Sequence, residues 1–118
     1  MRINILGTDY TITFKDYQDD KLISSNDYSG YCNEITKDIV ICNINTFPGC
    51  EDDPKEVCRL AEKQTLRHEI VHAFLNESGL SHSSLRYSAG WAKNEEMVDF
   101  IALQGLKIYE AWKQANAI

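Results

Sequence analysis

His68-Glu69-Ile70-Val71-His72 constrains this chain more than any other stretch of it. On a helix, residues four apart lie on one face with a rise of about 6 Å, so both imidazoles can close on one small ion. Glu69 sits roughly 100° further round, where its carboxylate can hang beside that ion and take a proton from a water held there. Two ligands and a base at this spacing point to zinc. Ile70, Val71, Ala73, Phe74 and Leu75 make the segment apolar nearly all round, as expected of a buried helix. Two histidines and a glutamate inside such a helix need partners, and a metal would supply them.

The rest of the composition narrows the class. At 118 residues and 43% hydrophobic content the chain is expected to form a single domain, residues 1–118, with one core. The first seven residues, Met1 to Gly7, lack the apolar run of a signal peptide, and no stretch of eighteen apolar residues occurs; a soluble, cytoplasmic protein with no membrane partner is the expectation. A net charge of -6 disfavours nucleic acid as a partner, because that binding rests on Lys and Arg at phosphates. The spacing of Cys32, Cys42, Cys50 and Cys58 matches no zinc knuckle and suggests no disulfide framework. They are expected as thiols, with Cys32 and Cys42 facing each other across a hairpin.

An α+β fold is expected: a small antiparallel N-terminal sheet of hairpins over residues 1–50, then two main helices over 53–118. Ile3 and Ile5, then Tyr10, Ile12 and Phe14, alternate with polar residues around Gly7-Thr8-Asp9, as in a hairpin with one face on a core. Lys15 to Ser29 is polar and turn-rich and is expected to be a loop. Tyr31 to Ile35 and Asp38 to Ile44 form the second expected hairpin, with a turn near Thr36-Lys37. Asp53, Pro54 and Glu56 together read as a helix start, with Asp53 as the cap. That helix should run to about Ser78, where Gly79 stops it. Leu80 to Ala92 is expected as a loop or short turn, followed by a helix from about Asn94 to Gln114. Val98, Ile101, Gly105, Ile108 and Trp112 form its expected packing stripe, with close helix contact at Gly105.

A catalytic zinc needs a third protein ligand, and His82, Glu95, Glu96 and Asp99 are the downstream candidates. Glu95 and Asp99 share a helix face, so both can look at one histidine pair. The run Asn94-Glu95-Glu96-Met97-Val98-Asp99 resembles the Asn-Glu-x-x-x-Asp element of the gluzincins, the thermolysin-like zinc metallopeptidases. The resemblance covers only the two motif helices, about a third of the chain, and the order of elements is similar to that of the small metallopeptidase domains of phage and mobile elements. It implies one Zn2+ per chain, with His68, His72 and Glu95 as ligands and Asp99 as the acid that orients His68. It also implies hydrolysis of a peptide or protein substrate with Glu69 as general base. Metzincin spacing is excluded, because the third histidine of that pattern would fall at Ser78.

Three further roles are expectations of the same reading. His82, Arg86 or Tyr87, between the two helices, is the candidate donor to an oxyanion. Ile39, Val40, Ile41 and Cys42 are the candidate edge strand along which an extended peptide binds. The rival from another class is a zinc-stabilised interaction module without proteolytic activity, distinguished by whether the metal keeps an open position.

Overall fold

The structure is a computed structural model that describes residues 1–83 and 90–116, the side chains of residues 82–83 and 111–113 excepted. Strands β1 (Arg2–Ile5) and β2 (Thr8–Lys15) form the first hairpin, with Ile5 opposite Thr8 and a two-residue turn at Leu6-Gly7. Strands β3 (Gly30–Asn33) and β4 (Asp38–Cys42) form the second. Asn33 shapes its turn, its side-chain oxygen accepting the amides of Ile35 and Thr36. The hairpins then join into one four-stranded sheet of order β1-β2-β4-β3.

That join corrects the expected topology in two respects. The sheet is mixed, because β2 and β4 pair in parallel from Thr11 opposite Asp38 to Lys15 opposite Cys42. A parallel pair needs a crossover, and residues 16–37 supply it by running past the sheet and returning through β3. Strand β4 is consequently interior: Ile39, Val40, Ile41 and Cys42 are all buried, and they form no edge for a peptide. The edge strands of this sheet are β1 and β3. The register also sets Cys32 opposite Ile39, so Cys32 and Cys42 do not face each other; all four cysteines are free thiols.

The segment expected as a loop holds a short helix, α1 (Lys21–Asn26). Asp20 caps it by accepting the amides of Leu22 and Ile23, and a side chain that satisfies two otherwise orphaned donors stabilises even a six-residue helix. Ile23 is the only buried residue of α1; too few apolar positions exist for a periodic signal. It packs with Val40 and Cys42 on one face of the sheet.

The other face of the sheet, with Ile5, Tyr10, Ile12, Ile39 and Ile41, carries the long helix α2 (Lys55–Glu77) through Leu66, Ile70 and Ala73. Its start lacks the expected side-chain cap; Pro54 occupies the cap position, and its carbonyl accepts the amide of Cys58. Its end is as expected, with Gly79 at φ +82, a conformation that costs glycine nothing. A short α3 (Leu80–Ser83) follows, then a 3-10 turn at Trp91–Lys93 and the last helix, α4 (Glu95–Gln114). Asn94 caps α4 by accepting the amide of Met97.

Leu75 with Val71 on α2, and Val98 with Met97 on α4, close a second core around Ala92. Arg67 adds a hydrogen bond to the carbonyl of Ala102 at 3.0 Å. Among the described side chains of α4 the buried ones are Val98 and Ala102, one turn apart. Ile101 is 40% exposed, and among the described residues a Cβ added to Gly105 would meet nothing within 4 Å, so no close helix contact is made there by them. The side chain of Trp112 lies outside the described residues. None of the described helices is long and apolar enough to cross a membrane.

Glu77 fastens the C-terminal end of α2 to the sheet, accepting from Thr8, Tyr10 and Lys37. The hydrogen bond from Lys37 and then that from Tyr10 hold its carboxyl down at about 2, against an ordinary 4.5. A carboxyl depressed in the folded state stabilises it above the unfolded value and loses that contribution as pH falls through the folded one. The melting-temperature gap between wild type and Glu77→Gln should thus be constant above about pH 4.5 and close between there and about pH 2. Parallel thermal melts across acid pH would show it; a gap independent of pH would show that the ion pair is not its source.

Candidate metal centre

Helix α2 presents His68 and His72 one turn apart, on the strip between its sheet-facing residues and its α4-facing residues. The first turn of α4 comes up against the same strip. The Nε2 atoms of the two histidines are 3.0 Å apart. Glu95 places one carboxylate oxygen 3.0 Å from His68 Nε2 and the other 3.4 Å from His72 Nε2. A tetrahedral zinc with bonds of about 2.0 to 2.2 Å would set its ligand atoms roughly 3.3 to 3.5 Å apart. The two imidazole nitrogens and the Glu95 carboxylate lie near that spacing, with one ligand atom from each residue within 4.8 Å of the others.

Lone-pair chemistry points the same way. His68 Nδ1 lies 2.8 Å from Asp99, so a neutral His68 donates through Nδ1 and turns the bare Nε2 toward Glu95 and His72. An imidazole lone pair 3.0 Å from a carboxylate oxygen is repulsive unless a cation or proton lies between them. Burial also pushes the pKa of His72 down, which keeps that ring in the neutral form that ligates a metal. Among the described residues, His68, His72 and Glu95 form a group able to hold a metal ion.

Glu69 stands on the cleft side of α2, 6% exposed, with no hydrogen bond or ion pair among the described residues. Its carboxyl is pushed up to about 7, first by burial and then by the charge of Glu95, with His68 acting in the opposite direction. A carboxyl of that basicity beside a water-accessible cleft is suited to shuttle a proton near neutral pH. Glu96, by contrast, is exposed and does not line the cleft. It stands in the first turn of α4, where the helix dipole favours an acid.

These groups open on a cleft of about 880 Å³. Strand β3 forms one wall, with Gly30, Tyr31, Cys32 and Asn33, and Lys93 with Glu95 and Asp99 the other. Burial, followed by the charge of Glu69, pushes the Cys32 thiol up to about 12. Its sulfur is not part of the group of ligand atoms formed by His68, His72 and Glu95. Gly30 lets β3 lie this close to α2: a Cβ there would sit 2.7 Å from Thr65 Cγ2 and 2.9 Å from the Val40 carbonyl. Gly30→Ala should force β3 and α2 apart, at an overpacking cost of about 1–3 kcal/mol. Denaturant titration would measure that loss, and an unchanged midpoint would show that the contact gives way freely.

The residues expected at the site divide clearly. His68, Glu69, His72, Glu95 and Asp99 are brought together. Ile39, Val40, Ile41 and Cys42 are not, being core residues of an interior strand. His82 is on α3 with its side chain outside the described residues, and Arg86 and Tyr87 lie outside them altogether. Sequence reasoning missed β3, Asn76 and Lys93 as cleft residues. One sign was available: Ile39-Val40-Ile41-Cys42 is a continuous apolar run, typical of a strand buried on both faces, whereas Gly30 to Asn33 is the mixed sequence of an edge. Comparison of the chain with protein-family models, curated proteins and solved structures finds no match.

Proposed function

We propose that this protein is a zinc-dependent peptidase of the gluzincin type, with His68, His72 and Glu95 as ligands and Glu69 as general base. The observation that carries the proposal is the convergence of three ligand atoms beside a buried carboxylate that has no hydrogen bond or ion pair among the described residues, all in one cleft. Zinc, when bound, supplies a Lewis acid that polarises a carbonyl and acidifies a water. Glu69 accepts the proton of the attacking water and returns one to the leaving amine, a relay for which a carboxyl near 7 is suited. Asp99 holds His68 in one tautomer and one orientation. The outer edge of β3 offers backbone donors and acceptors to an extended chain, which would lay a scissile bond across α2 above Glu69.

An interaction module needs its metal only as a fastener, and structural zinc sites are closed by four protein ligands. Among the described residues the site offers three donors and an adjacent buried base, which favours the catalytic reading. Incubation of the zinc-loaded protein with a peptide library, read by mass spectrometry, tests it. New termini that disappear when zinc is removed are expected; an uncut library from protein of proven zinc content would favour the module instead.

A further inference from the structure

The charge of the cleft narrows the substrate. Among the described residues five carboxylates line it, those of Asp27, Glu34, Glu69, Glu95 and Asp99, against one ammonium group, that of Lys93. One divalent ion leaves a negative surplus. Two of these acids stand away from the ligands, at opposite ends of β3. Asp27 lies beyond its start beside Tyr28, which is 44% exposed, and Glu34 lies beyond its end beside Ile35, which is 85% exposed.

Each end thus combines an acid with an open apolar surface. Lysine and arginine are built for that combination, laying an aliphatic stem on apolar surface while the head meets a carboxylate. Glu34 has no hydrogen bond or ion pair among the described residues, and neighbouring Lys37 is already held by Glu77. Asp27 accepts one bond, from the Tyr17 hydroxyl, which leaves its charge in place. Between the two ends, Glu69, buried and without a hydrogen bond or ion pair among the described residues, marks where a ligand must reach. Strand β3 between the two ends has four residues, about 10 Å from its first Cα to its last, so a substrate reaching both acids extends beyond the strand on each side.

We infer that the cleft selects extended peptides carrying lysine or arginine on both sides of the bond held over Glu69. The inference rests on the peptidase reading and names its substrate class. Binding tests it without hydrolysis: fluorescence anisotropy of zinc-loaded Glu69→Gln with labelled octapeptides that share a neutral centre and differ only in Lys, Gln or Glu flanks.

Lys-flanked peptide should bind at least tenfold more tightly than Glu-flanked peptide at low salt, and the preference should shrink as salt screens it. Glu34→Lys, with Asp27→Asn as the gentler change at a helix end, should each reduce the preference several-fold, with melting temperature measured to confirm folding. Equal binding of all three peptides would overturn the inference, as would a preference unmoved by both variants. If wild type cleaves the neutral and basic peptides equally well, the inference falls and the peptidase reading stands. If the basic peptides bind preferentially but are never cut, the charge selection stands and the peptidase reading falls.

Discussion

Replacing Glu95 by alanine is expected to cost the protein its zinc, while the same change one residue later should cost almost nothing. Zinc sites in small domains bind with roughly 10–16 kcal/mol shared among four ligands. Losing one of three protein donors therefore removes on the order of 3 kcal/mol, a hundredfold or more in affinity. Glu95 faces both histidines, at 3.0 and 3.4 Å; Glu96 faces solvent. Asp99→Ala should fall between the two, weakening zinc by roughly 10 to 100-fold, because His68 would lose the partner that fixes its tautomer and orientation. Competition with a chromophoric chelator would rank the three variants. If Glu96→Ala lost the metal and Glu95→Ala kept it, the resemblance to the gluzincin element would be displaced by one residue, and Asp99 would lose its assigned part.

Glu69→Gln should separate chemistry from binding. Glutamine keeps the size of the side chain and loses the base, so kcat should fall by about 10²–10⁴-fold while zinc content stays that of wild type. The buried setting sharpens the test: desolvation makes Glu69 a better base by raising its carboxyl to about 7, and a neutral amide relieves that burial cost. The variant should melt no lower than wild type. Stopped assays on a cleavable peptide, with metal analysis of the same samples, would show the split. An undiminished kcat would remove Glu69 from the mechanism.

What could be read from the sequence followed from how local each signal was. The pair His68 and His72, with Glu69 between them, is written within five residues, and helical geometry alone settles which of them share a face. The end of α2 at Gly79 and the start of α4 at Asn94 are equally local. The position of β4 was not, because Asp38 to Cys42 has hairpin neighbours in sequence, while its second neighbour, β2, reaches it across a crossover of more than twenty residues. No local pattern reports such a pairing. Assigning an edge to β4, the strand just before α2, failed for that reason; the edge strand on that side is β3. Helix α1 escaped notice because its stability comes from Asp20 and one buried isoleucine rather than from a repeating stripe. At Gly105 the error was of another kind: glycine in mid-helix suggested a close neighbour, yet the contact between α2 and α4 is made on the face of Val98 and Ala102.

The central claim is that two helices hold one zinc ion between His68, His72 and Glu95, and an equilibrium zinc titration of the wild-type protein against a competing chelator tests it most directly. The expected result is one zinc per chain, bound tightly enough to raise the melting temperature by mass action. A wild-type chain that takes up no zinc, and melts at the same temperature with and without it, would contradict the account.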